Sequence, residues 1–275
     1  MKKEIGLYVH IPFCKQKCYY CDFVSFAGQE QMEEKYVNAL KKEIEKYALE
    51  NKVMSEHNIE PEFIIKTIYI GGGTPSYINE KYIVEIINTI RQNFKVKEEA
   101  EITIEVNPGT VNLEKLATYK KCGINRLSIG LQAVQDTLLK KIGRIHTYSD
   151  FLDTYKNARN VGFANINVDL MINLPLQTVK DVEESVKEII KLKPEHISVY
   201  SLIVEEETPI SRMLENKEIK LASDEEERKM YWLVKNILEK HKYIQYEISN
   251  FSKLGFESKH NLDCWNQEEY IGLRY

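Results

Sequence analysis

The alternation of strand-like and helical segments constrains the fold of this chain more than any other sequence feature. Six short segments rich in β-branched and aromatic residues precede residue 205, with helical patterns between them. The strand-like segments are 5–11, 66–70, 101–106, 126–131, 166–172 and 196–204. The helical patterns cover 31–50, 80–94, 113–122, 179–192 and 224–240. Because strands that alternate with helices pair in parallel, we predict an α/β protein with one parallel sheet, either a partial barrel or a doubly wound sheet.

Helix-capping residues support the predicted helix ends. Asn112 is a suitable N-cap for 113–122, and Gly123 can end that helix in a left-handed conformation. Ser223 and Glu226 have the spacing of a capping box, which predicts that a helix begins at residue 224.

The length, net charge and hydropathy of the chain are those of a globular protein and argue against a nucleic-acid-binding, membrane-spanning or secreted one. A chain of 275 residues can bury a substantial core, and its net charge of −4 gives no basic excess for nucleic acid. No apolar run approaches the length of a membrane span, and His10 and Pro12 interrupt the N-terminal apolar stretch, so a signal peptide is not expected. We therefore expect a cytoplasmic protein with reduced thiols, with neither nucleic acid nor an integral membrane segment.

Three cysteines follow the first predicted strand at a C-x3-C-x2-C spacing: Cys14, Cys18 and Cys21. Three thiolates can converge on one metal centre and leave a coordination position open, as metal-centred chemistry requires. A Cys3His zinc site with His10 is an alternative, although an extended strand places His10 roughly 13 Å from Cys14. A disulfide framework is less consistent with five cysteines, three of them crowded together.

Other polar residues are predicted at the carboxyl ends of the strands, where parallel α/β proteins place their sites. The second strand leads into the turn Gly71–Pro75, which lacks the lysine of a phosphate-binding loop, so it is either a tight turn or a backbone that approaches a ligand. Glu105, Gln132 and Asp169 belong to the third, fourth and fifth strands, where they are either solvated charges and amides or ligand-binding groups.

The cysteine loop resembles that of the radical S-adenosylmethionine (SAM) superfamily, whose fold is a partial (β/α)6 barrel. The segments YVHIPFCKQKCYYCDF, GGGTP, IEVNP, RLSIGLQ, SVYSLIVEEET and KHNLDCWNQEEYIGL also resemble segments of one subfamily. The resemblance implies that Cys14, Cys18 and Cys21 bind three irons of a [4Fe–4S] cluster and that SAM chelates the fourth. It further implies a SAM pocket lined by Tyr8, Tyr20, Gly72, Gly73, Thr74, Glu105, Gln132, Arg144, Asp169 and Ile203.

That subfamily contains both heme chaperones and oxygen-independent coproporphyrinogen III oxidases. The oxidases have a fourth cysteine two residues after the third, where this chain has Phe23. The resemblance therefore favours a chaperone that binds heme as cargo and passes it to client hemoproteins. The alternative is an oxidase that decarboxylates the propionates of a porphyrinogen. Neither the client nor the electron donor can be named.

The segment KHNLDCW resembles a motif that is associated with heme in the chaperones. His260 is then the candidate heme ligand, and Cys264, where a tyrosine is usual, is a possible second ligand. We expect residues 1–222 to form the radical SAM core. We expect residues 223–275 to begin a C-terminal domain that is incomplete, because the related chains continue beyond the sequence GLRY.

Overall fold

The computed structural model describes residues 2–274. The strands are β1 (Lys2–Ile11), β2 (Phe13–Cys14), β3 (Phe26–Ala27), β4 (Glu62–Gly72), β5 (Lys95–Val106), β6 (Arg126–Gln132), β7 (Ile166–Ile172), β8 (His196–Ser201), β9 (Ile244–Gln245), β10 (Asn250–Ser252) and β11 (Tyr270–Leu273). The α-helices are α1 (Glu33–Glu56), α2 (Glu80–Asn93), α3 (Leu113–Lys121), α4 (Asp136–Lys141), α5 (Tyr148–Asn160), α6 (Val179–Leu192), α7 (Pro209–Glu215), α8 (Asp224–Lys240) and α9 (Lys259–Trp265).

Nine of these strands form one sheet in the order β11-β1-β4-β5-β6-β7-β8-β10-β9. The pairs from β11 to β8 are all parallel, and β10 is antiparallel to both β8 and β9. The six predicted strands follow one another in space as in sequence, without the reversal of order that marks a doubly wound sheet. The prediction of an α/β protein with a barrel-type parallel sheet is therefore confirmed.

The two faces of this sheet differ in chemistry. Leu127 and Ile129 of β6 lie in the large apolar core, whereas Arg126 and Ser128 belong to the buried polar residues. The same alternation holds in β7, where Val168 is in the core. Parallel strands covered by helices on both faces are usually apolar throughout, so this alternation indicates helices on one face and a polar interior on the other.

The predicted helix ends are confirmed, with small shifts. The Asn112 side chain accepts a hydrogen bond from the backbone N–H of Lys115, and Gly123 has φ +97°. Ser223 and Glu226 form both hydrogen bonds of the capping box. The last predicted strand ends at Ser201 rather than at residue 204, and α1 covers 33–56 rather than 31–50.

The sequence patterns did not predict the short elements near the C-terminus. β9, β10, β11 and α9 have two to seven residues each, too few to show a hydrophobic period. β11 is positioned by its pairing with β1, a contact between distant parts of the chain. Within 2–274, no helix is both long enough and apolar enough to span a membrane.

Candidate metal and cofactor site

The cysteine loop leaves the main sheet at the end of β1, and a separate two-stranded sheet of β2 and β3 joins its two ends. β2 pairs with β3 in parallel, so that Cys14 lies opposite Ala27. The loop is also held from outside, because the backbone N–H of Tyr19 donates to the Ile142 carbonyl at 3.0 Å, and the N–H of Ile210 donates to the Tyr19 carbonyl at 3.0 Å. Backbone hydrogen bonds to two distant segments therefore fix the loop at the barrel mouth.

Each of the three cysteine sulfurs has a polar neighbour. The Thr74 hydroxyl donates to Cys14 Sγ at 3.4 Å, and Arg144 Nη1 donates to Cys18 Sγ at 3.6 Å. Cys21 Sγ lies 3.9 Å from the Ser25 hydroxyl. Hydrogen-bond donors and a guanidinium stabilise thiolate, the form that binds metal. Burial acts in the opposite direction at Cys14, where it raises the pKa of the thiol.

Asn107 joins two of these thiols through hydrogen bonds. Its side-chain oxygen accepts from Arg144 Nη2 at 2.7 Å, and its amide nitrogen donates to the Thr74 hydroxyl at 2.9 Å. Cys18 and Cys14 are thus linked by the chain Arg144–Asn107–Thr74. Asn107 follows β5 directly, and the structure shows that it orients the partners of two cysteines.

The turn Gly71–Pro75 packs so closely against the cysteine loop that two of its positions require glycine. Gly72 has φ +124°, and a Cβ there would lie 2.9 Å from the His10 ring and from the Ile11 carbonyl oxygen. A Cβ on Gly73 would lie 2.9 Å from Cys14 Sγ. Glycine at both positions lets the turn pack directly against the thiol loop, which side chains would prevent.

Two carboxylates lie on the interior face below this turn. Glu105 accepts from the Tyr69 hydroxyl at 3.0 Å and from the Gly72 N–H at 3.2 Å. Burial, with a smaller contribution from the charge of Asp169, raises the pKa of Glu105 to about 7. Asp169 accepts from Asn167 at 2.7 Å and from Ser128 at 3.2 Å, yet burial raises its pKa as well.

Gln132 ends β6 in a left-handed conformation, with φ +73°. Its amide nitrogen donates to the Tyr20 hydroxyl at 3.4 Å, and burial raises the pKa of Tyr20 to about 12. Gln132 Oε1 and Arg144 Nε are buried without a partner in the described structure. Strained backbone and unpartnered buried polar atoms are features that cluster where a ligand binds.

The other residues expected at the site lie in three different environments. The Tyr8 hydroxyl is 3.1 Å from His10 Nδ1 inside the barrel, and Ile203 follows β8 with 70% of its surface exposed. His260 is buried at 5% exposure, with Nδ1 2.9 Å from the Thr67 hydroxyl and its ring stacked on Tyr69 at 5.3 Å. Burial lowers the pKa of His260 to about 4, so its imidazole is neutral at pH 7.

The zinc alternative required His10 as a fourth ligand. Both ring nitrogens of His10 are engaged elsewhere, Nδ1 with the Tyr8 hydroxyl and Nε2 with the Val24 carbonyl at 2.8 Å. His10 is therefore held by the loop backbone and is not directed at the cysteines.

Three cysteines, a glycine turn and buried carboxylates lie at the mouth of one parallel sheet, an arrangement suited to the class of proteins that hold a metal–sulfur centre beside an organic cofactor. The residues fit a [4Fe–4S] cluster and SAM. Each of the three thiols has a polar group beside it, and Gln132 Oε1 and Arg144 Nε are buried without a hydrogen-bond partner in the described structure. A family model described as the Radical SAM superfamily matches residues 8–189. The chain belongs to this superfamily and, within it, to the family of heme chaperone HemW proteins.

Curated relatives establish the narrower family. Heme chaperone HemW of Bacillus subtilis (strain 168) is 42% identical over 267 residues, which cover 97% of this chain and 68% of the relative. Heme chaperone HemW of Escherichia coli (strain K12) is 34% identical over 98% of this chain and 68% of its own length. This chain thus spans about two thirds of the length of these relatives.

A solved structure supports the fold. Coproporphyrinogen III oxidase (HemN) from Escherichia coli matches with a TM-score of 0.82 and 24% identity, over 98% of this chain and 63% of that one. At this identity, the match shows a shared fold. Membership of the superfamily implies a [4Fe–4S] cluster and SAM as cofactors.

Proposed function

We propose that this protein binds heme and transfers it to client hemoproteins. The observation that carries the proposal is the 42% identity, over 97% of the chain, to a curated heme chaperone. The residue at position 23 supports it, because Phe23 stands where the oxidases resembled by this chain have a fourth cysteine. A cytoplasmic location forms part of the proposal.

We further propose that Cys14, Cys18 and Cys21 hold the cluster, which when bound supplies one-electron chemistry to SAM. Arg144 and Thr74 then stabilise the thiolates by hydrogen bonds. The other residues expected at the SAM pocket hold SAM and exclude water from it. They are Tyr8, Tyr20, Gly72, Gly73, Glu105, Gln132, Asp169 and the exposed, apolar Ile203.

For heme, we propose His260 as the iron ligand, with Cys264 as the alternative. His260 supports this role by its neutral imidazole, but it must first leave its contacts with Thr67 and Tyr69. Cys264 lies four residues later on α9 and is exposed, so a thiolate there needs no such rearrangement.

The heme ligand can be tested by titrating the protein with heme and following the absorption spectrum. We expect His260→Ala to weaken heme binding and change the spectrum, whereas His241→Ala, at the exposed end of α8, should leave both unchanged. Loss of binding only in Cys264→Ala would make the thiolate the ligand. If the double variant His260→Ala/Cys264→Ala binds heme as the unmodified chain does, neither residue is the ligand.

The competing function is oxygen-independent coproporphyrinogen III oxidation. We would incubate reconstituted protein anaerobically with SAM, a reductant and coproporphyrinogen III, with an authentic oxidase as positive control, and read the products by mass spectrometry. An unchanged porphyrinogen together with stoichiometric heme binding is the expected result. Loss of two carboxyl groups with formation of 5′-deoxyadenosine would make the protein an oxidase.

We also propose that residues 1–222 form the radical SAM core and that 223–275 begin a further domain. The superfamily match ends at residue 189, and the curated relatives are longer than this chain. Limited proteolysis of a full-length relative, followed by mapping of the fragments, would test whether the corresponding boundary is exposed.

A further inference from the structure

Arg126 is the largest fully buried side chain of the described structure, with 1% of its surface exposed. It begins β6 and lies opposite Thr103 of β5 in the register of the sheet. Both residues are on the polar face, which continues through Ser128 and Asn167. The guanidinium therefore lies inside the barrel, below Glu105 and Asp169.

No described residue pairs with this guanidinium. Within 2–274, the Arg126 side chain makes neither a salt bridge nor a hydrogen bond, and its Nε is fully buried without a partner. A buried arginine is ordinarily paired, because an arginine side chain remains protonated and an unpaired buried charge is costly.

The carboxylates of the barrel interior have other donors. Glu101 accepts hydrogen bonds from the N–H groups of Lys259 and His260, each at 3.2 Å, at the start of α9. Glu105 is engaged by Tyr69 and by the glycine turn, and Asp169 by Asn167 and Ser128. The interior thus contains acids, but none is within 4 Å of Arg126.

Other buried polar atoms of the sheet also lack a partner. Thr103 Oγ1 is on the strand beside Arg126, and Asn250 Oδ1 and Ser252 Oγ are on β10, three strands along the sheet. Two histidines, His196 and His260, are held neutral by burial together with the positive charge of Arg126, which lowers the pKa of each. The polar floor of the barrel therefore has unpartnered hydrogen-bonding groups and a guanidinium that no acid contacts directly.

We propose that Arg126 binds the carboxylate of a ligand that enters the barrel interior separately from SAM. A guanidinium offers a planar pair of donors that matches a carboxylate. Because Asp169 already offsets part of the charge of Arg126 and Glu105 lies one layer above it, the site favours a monoanion over a phosphate dianion. The unpartnered Thr103 hydroxyl is the nearest second donor in the sheet register.

Propionate is a suitable probe, because it is small enough to enter the barrel and presents one carboxylate. We would titrate it calorimetrically into the full chain, reconstituted anaerobically and saturated with SAM, so that the site at the barrel mouth is occupied. Propionamide, its uncharged analogue, and sodium chloride at equal ionic strength are the ligand controls. We expect propionate to bind in the millimolar range and propionamide not to bind.

Arg126→Gln should weaken propionate binding at least about tenfold, as loss of a charge-assisted hydrogen bond requires. Arg159→Gln is the matched control, because Arg159 is paired with Glu195 at 2.8 Å and with Tyr155 on α5. That variant should bind propionate as the unmodified chain does. The Arg126→Gln variant should also keep its affinity for SAM.

Three results would overturn the proposal: no binding of propionate to the unmodified chain, equal binding of propionate and propionamide, or unchanged propionate binding in Arg126→Gln. A loss of SAM affinity in Arg126→Gln, with no propionate bound to the SAM-loaded chain, would assign the guanidinium to the carboxylate of SAM. If Arg126→Gln does not fold, the comparison of propionate with propionamide on the unmodified chain still tests whether the SAM-loaded protein binds a carboxylate. None of these outcomes depends on heme.

Discussion

Glu105 shows how strongly position in the barrel changes an ordinary side chain. Its carboxyl has two donors, from Tyr69 and Gly72, yet burial and Asp169 raise its pKa from 4.5 to about 7. Because the folded-state pKa is the higher one, this group lowers the free energy of unfolding as pH rises from about 4.5 to about 7. A cationic ligand beside Glu105 would reverse that penalty by favouring the ionised form.

SAM carries positive charge, so we expect its binding near Glu105 to release a proton below about pH 7. SAM affinity should then rise with pH, by at most about tenfold per pH unit, and level off above about pH 7. Calorimetry in buffers of different ionisation enthalpy measures both affinity and proton release. In Glu105→Gln, SAM affinity should depend less on pH between about 4.5 and 7. If the variant and the unmodified chain show the same pH dependence, Glu105 is not the group that releases the proton.

At the residue scale, the sequence predicted groups whose chemistry is local and missed those whose role depends on neighbours. The cysteine spacing and the glycine turn are contiguous, so they could be identified directly. Arg126 opens a strand segment and resembles an ordinary boundary residue in sequence. Its significance comes from the lack of an acid paired directly with its guanidinium, because the oxygens of Glu101 and Asp169 accept hydrogen bonds from other groups.

The N-terminus of helix α9 is held against the sheet by the side chain of Glu101. Glu101 accepts from the Ser258 hydroxyl at 3.5 Å and from the backbone N–H groups of Lys259 and His260. A carboxylate at a helix N-terminus satisfies amides that have no partner within the helix and complements the helix dipole. Because Glu101 belongs to β5, this contact fixes α9, and with it His260, against the sheet.

Glu101→Ala should therefore destabilise the fold by about 1–3 kcal/mol, since it leaves buried donors unsatisfied. The loss should be concentrated in α9. Hydrogen exchange should accelerate more at the amides of 259–265 than at those of 224–240. Glu98→Ala, at an exposed position of the same strand, is the control and should change neither stability nor exchange. Uniform acceleration in both helices would show that Glu101 supports the whole fold instead.

Over the whole molecule, the order of the main strands was predictable and the strands at the two edges of the sheet were not. Six periodic segments were enough to give the parallel sheet from β1 to β8. β11 and β10, which extend it on both sides, are too short to have a pattern and owe their pairing to the strands beside them. The same pairing places residues from both ends of the chain next to each other.

The cysteine loop should affect cofactor binding without affecting this framework. We expect Cys18→Ala to keep the circular dichroism spectrum of the unmodified chain but to lose iron, sulfide and stabilisation by SAM. Cys264→Ala, at an exposed position on α9, should retain all three. Iron and sulfide analysis after anaerobic reconstitution, with thermal unfolding in the presence and absence of SAM, provides the measurement. Full iron content in Cys18→Ala would remove Cys18 from the ligand set.

Along each strand, residues that stabilise the fold alternate with residues that are available for binding or chemistry. In β6, Leu127 and Ile129 pack the sheet against its helices, and the alternating residues Arg126 and Ser128 face the interior. Inserting one residue within such a strand would exchange the two sets, sending a guanidinium into the apolar layer and leucine into the barrel. Strand length is thus far less free to change than loop length, and new chemistry can arise in this protein by substitution at every second position.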